Sequence, residues 1–358
     1  MKKHAIIPVF IPHQGCPNDC VFCNQKAITA HLPDVTLDEV RNTIETWLST
    51  LTGREGMETI EIAFFGGSFT GIPPEQQSAY LEIAHEYKEC GRIHKIHLST
   101  RPDYISHEIL DNLKKYKVDV IELGVQSFDD DVLAASGRGH DSKCVYEACS
   151  LIKEYGFELG IQLMIGLPQD SMEKCIYSAM EAVKIGPQIA RLYPTIVIED
   201  TELMEMYRNG NYTPLTTEEA VETTKEMYRI LTDAGINIIR VGLKSSDIIN
   251  ENGSIEGTTF HPAFRQLVEG SIARDKMEAL LSENMPENGD PCWDRFISKE
   301  VCFYSNSKWF SAMIGHKGCN KKHFETCYPG LEFKFKAIDM DDTLIGISVA
   351  WNPDFMIK

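Results

Sequence analysis

Polar and apolar positions along the chain follow two alternating rhythms. Short runs rich in β-branched and aromatic residues predict strands: "AIIPVFI" (5–11), "TIEIAFFGG" (59–67), "RIHKIHLST" (92–100), "VDVIELGVQS" (118–127), "FELGIQLMIGLP" (157–168), "IARLYPTIVIE" (189–199) and "INIIRVGL" (236–243). Between them, apolar residues recur at helical spacing over 37–51, 73–90, 107–116, 142–156, 171–186 and 216–235. Thr36, with Glu39 three residues on, is placed to cap the first helix, and Gly156 to close the fourth. Strand followed by helix, repeated six or seven times over about 245 residues, predicts an α/β protein with a parallel sheet wrapped by helices. The repeat number favours a full or partial β/α (TIM-like) barrel of six or so parallel strands. The strands read as nearly continuous apolar runs, the pattern of a sheet covered on both faces. In such a barrel the chemistry sits on the loops after the carboxyl ends of the strands. The cysteine-rich stretch 13–25, Gly66-Gly67, Ser99-Thr100-Arg101 and Gln126-Ser127 all fall at such ends.

Past residue 245 the rhythm breaks. We expect a barrel over 1–245, a helical or linker extension over 246–300, and a small α+β unit over 301–358. In that last unit "VCFYSNS" is a strand, two helices flank a glycine turn in "KWFSAMIGHKGCNKKHFETCY", and "LEFKFKAI" and "TLIGISVAW" are strands.

Charge and cysteine usage narrow the chemistry. The net charge of -18, from 35 basic and 53 acidic side chains, opposes indiscriminate binding to nucleic acid or anionic membrane. Eleven cysteines, an odd number, do not read as a disulfide framework. The N-terminal apolar run is broken by prolines and does not read as a signal peptide, and no run approaches the ~20 apolar residues of a membrane span. These features point to a cytoplasmic protein with reduced thiols and no membrane partner.

The distinctive chemistry is "HQGCPNDCVFCNQ" (13–25), which holds Cys16, Cys20 and Cys23 at C-x3-C-x2-C spacing. One reading is a zinc site completed by His13, although no second cysteine pair follows. The other is a 4Fe-4S cluster with three thiolates and one open iron. Here the sequence resembles the radical S-adenosylmethionine (radical SAM) superfamily, whose C-x3-C-x-aromatic-C loop follows the first strand of a partial β/α barrel; Phe22 takes the aromatic position. The resemblance implies two cofactors, a 4Fe-4S cluster and S-adenosylmethionine. It implies that the open iron chelates the methionine part of S-adenosylmethionine. One-electron cleavage then yields a 5′-deoxyadenosyl radical that abstracts hydrogen from a substrate. A flavodoxin- or ferredoxin-like donor would supply the electron.

By the same resemblance, Gly66 and Gly67 receive the methionine ammonium, with Ser68 where the superfamily has Glu. Ser99, at the third strand end, joins the cofactor set. Gln126 and Ser127 face the ribose, Arg138 the methionine carboxylate, and Ile165 in "LMIGLP" lies near the adenine. No residue is assigned the reaction on the substrate itself.

"LGVQS", "RGH", "MIGLP" and "LYPTIVIEDTELMEMYRNGNYTPLT" look most like the radical SAM part of the Elongator catalytic subunit, which modifies tRNA. Beyond 245 no Gly-rich turn of the acetyltransferase kind is found, so acetyl transfer is not implied. "GVQSF" is shared with oxygen-independent coproporphyrinogen oxidase, but the extra cysteine of that branch is Asn24 here. A porphyrin-type reaction and a zinc-stabilised RNA binder without catalysis remain the alternatives.

One feature of the last unit bears on RNA. The turn Gly315-His316-Lys317-Gly318 between predicted helices is similar to the backbone-clamping turn of KH modules. Six lysines stand against two glutamates over 305–336, and Lys317, Lys321 and Lys322 are placed to meet phosphates. A solvated basic face is the plainer reading of the same charges. Cys144, Cys149 and Cys175 read as buried helix residues, and Cys319 and Cys327 with His316 and His323 as a weaker metal candidate.

Overall fold

A computed structural model describes residues 4–11, 20–23, 35–51, 56–243, 255–256, 259–284, 300–340 and 345–349. Cys16 and His13 lie outside the described residues. The chain divides into two compact units, Met1–Phe260 and His261–Lys358.

In the first unit the strands are β1 (His4–Ile11), β2 (Thr59–Gly66), β3 (Lys95–Thr100), β4 (Val120–Gln126), β5 (Glu158–Ile165), β6 (Ile189–Pro194), β7 (Val197–Ile198), β8 (Asn237–Val241) and β9 (Ile255–Glu256). The helices are α1 (Leu37–Leu51), α2 (Pro74–Glu89), α3 (His107–Lys115), α4 (Asp130–Ala135), α5 (Ser142–Glu154), α6 (Met172–Ile185), α7 (Glu202–Arg208) and α8 (Thr217–Asp233). The main sheet has the order β1-β2-β3-β4-β5-β6-β8, parallel throughout. Local chemistry sets the helix starts. The Thr36 hydroxyl accepts from the Glu39 N–H while the Glu39 carboxylate accepts from the Thr36 N–H. Ser106, Asp141 and Ser171 cap α3, α5 and α6 in the same manner.

The sheet is curled into a half-barrel. Four strand spacings separate β2 from β6, roughly 19 Å in a flat sheet. Yet the Arg191 guanidinium of β6 lies 4.6 Å from the centre of the Phe65 ring of β2. Only curvature brings them together. Among the described residues no pairing joins β1 to β8, so the barrel stays open.

The expectation of strands apolar on both faces needs correction. Alternate positions pointing to the helices are apolar and buried, such as Ile62 and Phe64, Ile96 and Leu98, Ile121 and Leu123. The positions between them carry Glu61, His97, Glu122, Gln162 and Arg191 into the lumen. An open barrel has a concave face to be filled with chemistry rather than with a second apolar layer.

The second unit comprises α9 (Phe264–Asn284), β10 (Glu300–Ser305), α10 (Phe310–Ile314), α11 (Cys319–Cys327), β11 (Glu332–Ala337) and β12 (Ile345–Val349). Its sheet has the order β11-β10-β12, with β10 parallel to β11 and antiparallel to β12. Ala273, Met277 and Leu281 of α9 pack with Val301, Phe303, Phe324 and Ile347. The expected extension over 246–300 and the unit over 301–358 therefore share one core through α9. Among the described residues no helix is long and apolar enough to cross a membrane.

Candidate functional site

Arg101, from the loop after β3, and Arg138, from the segment between α4 and α5, converge on Cys20. This cysteine is buried, and a turn closed by the Cys23 N–H to the Cys20 carbonyl (2.9 Å) brings Cys23 round beside it. The segment is anchored on both sides. The Val21 N–H donates to the Ser136 carbonyl (3.1 Å), and the Leu203 N–H donates to the Val21 carbonyl (2.7 Å). Val21 packs with Val197, Leu203, Met204 and Tyr212, and Phe22 lies against that cluster. The aromatic position thus fixes the loop on α7 by burial of apolar surface.

Gly66, at the end of β2, has φ +112°, and a Cβ there would meet the Ile11 carbonyl oxygen at 2.4 Å. The Gly67 N–H donates to the same carbonyl at 3.3 Å. Only glycine lets β1 and β2 end this close together. Gly66→Ala is expected to cost about 1–3 kcal/mol, the usual range for a side chain forced into such backbone. Urea unfolding would measure it, and a change under ~0.5 kcal/mol would count against the close approach. Ser68 begins a short turn over Phe69–Gly71 and makes no side-chain cap bond. The Ser99 hydroxyl sits 3.5 Å from the Phe64 carbonyl.

Gln126 ends β4 with φ +72°, at a register shift between Gly124 and Gln126. A non-glycine residue held there is strained, a feature that concentrates at functional sites. Its amide oxygen accepts from Gln162 (3.3 Å). The Ser127 hydroxyl is taken up by the fold, lying 3.3 Å from that of Ser178 and accepting from the Asp129 N–H at 3.1 Å. Ile165 is fully buried, and its carbonyl accepts from the Thr195 N–H at 2.8 Å.

Two guanidiniums meet Cys20. Arg138 Nη1 lies 3.3 Å and Arg101 Nη1 3.6 Å from its Sγ. Arg138 Nη2 donates to the Gly124 carbonyl, and Arg101 Nη2 to the Arg138 carbonyl. Arg101 pairs with Asp103 at 2.9 Å. Arg138 makes no ion pair among the described residues, and its Nε is buried without a partner. Beside them both ring nitrogens of His140 are buried and unpartnered. Burial, and then Arg138, hold the His140 pKa at about 4, so the ring is neutral at pH 7. Among the described residues, two cations against one carboxylate leave an excess of positive charge at Cys20. Such surroundings fit a thiolate-ligated, anionic metal centre and would be costly without an anion.

The role of Arg101 is not legible in the sequence, where it is simply one residue of a strand-end loop. Of the other described cysteines, Cys149, Cys175 and Cys302 are buried, Cys144 is half-buried, and Cys90, Cys319 and Cys327 are exposed. Among the described residues no three potential ligands cluster for a metal. The expected set of three needs Cys16, which lies outside them.

Comparison with known proteins gives the family. Residues 10–179 match the radical SAM superfamily and 187–274 the radical SAM C-terminal domain. The chain belongs to the radical SAM superfamily, enzymes that use a 4Fe-4S cluster and S-adenosylmethionine. It is similar to the tRNA uridine(34) acetyltransferase of Methanocaldococcus jannaschii, 26% identical over 292 residues, covering 68% of this chain and 54% of that protein. It is also similar to Elongator complex protein 3 of Mus musculus, 23% identical over 297 residues, with the same two coverages of 68% and 54%. The chain spans about half the length of these curated relatives. The solved structure of Methanocaldococcus infernus Elp3 with an N-terminal deletion shares the fold, with a TM-score of 0.60, 23% identity, and coverage of 77% of this chain and 64% of that one.

Proposed function

We propose that Cys16, Cys20 and Cys23 hold the 4Fe-4S cluster, that S-adenosylmethionine binds across the ends of β2 to β5, and that the substrate is an RNA, tRNA being the first to test. The observation that carries the first part is Cys20 facing two buried guanidiniums at the mouth of the half-barrel. Bound there, cluster and cofactor would supply radical chemistry to a substrate held at the strand ends. Within the chain, Gly66 permits backbone approach and Gln126 presents a strained, buried amide. Arg138 keeps one free N–H for a carboxylate. Anaerobic reconstitution tests this reading. About four irons per chain and dithionite-dependent cleavage of S-adenosylmethionine are expected; a colourless chain holding one zinc would overturn it.

Two facts support RNA as the substrate. Relatives are named for tRNA or for Elongator. In the second unit, the turn Gly315–Gly318 sits between α10 and α11 in left-handed backbone, with φ +78° at Gly315 and +50° at Lys317. A Cβ on Gly315 would meet Cys319 Sγ at 2.6 Å, and the buried Asn320 amide donates to the Gly270 (2.8 Å) and Ala312 (3.1 Å) carbonyls, which locks the turn. Lys317, Lys321 and Lys322 are exposed around it, Lys321 lying 3.7 Å from Glu325. The double change Lys317→Glu and Lys322→Glu is expected to weaken tRNA binding and to reduce its salt slope by about 1 for each lysine. Gel shifts at several salt concentrations would read this, and an unchanged slope would remove the turn from the interface.

A further inference from the structure

The resemblance gives Arg138 a single task, the carboxylate of S-adenosylmethionine. The structure gives its guanidinium more to do. One terminal nitrogen is on Cys20 Sγ at 3.3 Å and the other on the Gly124 carbonyl, while Nε is buried and unpartnered. Arg101 approaches the same sulfur at 3.6 Å from the end of β3. Its own orientation is fixed twice, by two bonds to Asp103 (2.9 and 3.0 Å) and by one to the carbonyl of Arg138. The two side chains are each about 95% buried. They form one connected unit, Asp103–Arg101–Arg138–Gly124, with Cys20 Sγ as the sulfur acceptor.

We propose that Arg101 and Arg138 are positioning residues that set the reduction potential of the cluster through Cys20, Arg138 doing so alongside the carboxylate role that the resemblance already gives it. The coupling is electrostatic. Taking up one electron makes the cluster more negative by one charge, and the potential depends on net charge and on hydrogen bonds to the sulfurs. A buried N–H donor with a full positive charge stabilises the more negative state, and low exposure leaves this attraction largely unscreened. Arg138 has no carboxylate partner among the described residues, so its charge acts undiminished on the sulfur. The charge of Arg101 is partly offset by Asp103. Arg138 should therefore have the larger effect. Its free Nε gives a second acceptor, a ligand carboxylate, a place on the same plane.

This inference rests on the cluster reading above, and the experiment separates the two. The full chain is reconstituted anaerobically, iron is counted, and the midpoint potential is followed by electron paramagnetic resonance with and without S-adenosylmethionine. Wild-type protein without iron would overturn the cluster reading itself. With iron present, Arg138→Gln is expected to make one-electron reduction about tenfold less favourable, a shift of about 59 mV to more negative potential. It should also weaken S-adenosylmethionine binding at least tenfold. Arg101→Gln should lower the potential by less and leave that binding within about twofold. Should Arg138→Gln fail to fold, Arg138→Lys retains the charge and loses the fork. It is expected to keep most of the potential and to lose the binding. Iron-loaded variants with the wild-type potential would overturn the inference. So would equal weakening of cofactor binding by Arg101→Gln and Arg138→Gln, which would reduce both residues to structural supports.

Discussion

Replacing Arg191 by methionine is expected to cost about 3–5 kcal/mol of folding stability, the penalty for stranding a buried charge by removing its partner. Glu122 and His97 lie in the barrel lumen with about 2% and 1% of their surface exposed. Arg191 Nε is 2.9 Å and His97 Nε2 3.3 Å from one Glu122 oxygen. His97 Nδ1 and His4 Nε2 each approach Glu61 at 3.3 Å. The Glu122 oxygen, His97 Nε2 and Arg191 Nε have ion-pair distances without hydrogen-bond alignment. Charge balance, more than bond geometry, therefore holds the floor of the barrel. A double variant, Arg191→Met with Glu122→Gln, removes both charges and is expected to recover much of the loss, since the two sites share an interaction. Urea unfolding of the three variants closes the cycle; equal losses in the single and double variants would refute the charge argument.

The same network fixes the sign of the pH dependence. Burial pushes the Glu61 carboxyl up, but His4 and His97 outweigh it and hold it at about 2. Burial also opposes the charge of Glu122, and His97 and Arg191 outweigh it and lower its pKa. These carboxylates stabilise the fold above their ordinary value of 4.5, and that contribution is lost as pH falls through their lowered values, about 2 for Glu61. Burial disfavours charged His97, but Glu122 and Glu61 outweigh it and raise its pKa. Its contribution is complete below the ordinary value of 6.5 and is lost as pH rises through the raised value. Stability should therefore fall off on both sides of a plateau between these limits, and His97→Gln should remove the alkaline decline.

The floor network also marks the limit of what local sequence pattern carries. Strand and helix periodicity is local, and it locates β1 to β6 and β8 and the longer helices between them, but not the short α4 and α7. Capping chemistry is local as well, so the pairing of Thr36 with Glu39 is legible in the sequence alone. The lumen is present in the sequence as Thr59 and Glu61 in "TIEIAFF" and as Lys95, His97 and Ser99 in "KIHLST", each at alternate positions. A continuous apolar run and an alternating one differ there by one or two side chains, too few to separate a covered face from a polar one. Nothing local joins Glu61, His97, Glu122 and Arg191, which belong to four strands and meet only when the sheet assembles. Arg101 is hidden for the same reason. Its loop is plain in the sequence, but its partner sulfur lies 81 positions away. The cysteine motif is readable because its spacing is short and its chemistry nearly self-sufficient.

Changing Cys20 to alanine is expected to abolish cluster loading and S-adenosylmethionine cleavage, a larger loss than the roughly 10–100-fold typical of changes one shell further out. The environment of each thiol says why the effect should be selective. Cys20 sits against two guanidiniums, the kind of electropositive setting in which a sulfur serves as a metal ligand. Cys149 is buried among apolar neighbours that push its pKa up to about 12. Burial, with Asp170 beside it, raises that of Cys175 well above the ordinary thiol value. Protonated thiols of this kind are poor ligands. Cys149→Ala and Cys175→Ala should therefore keep their iron and lose only packing. Removal of Cys20 has a second consequence. Arg101 and Arg138 are left facing each other without the sulfur between them, so the metal-free variant should itself unfold at lower urea than metal-free wild type, and adding Arg138→Met should reverse part of that loss. Iron counted after anaerobic reconstitution decides the matter: four irons retained by Cys20→Ala, or iron lost from Cys175→Ala, would move the cluster away from the end of β1.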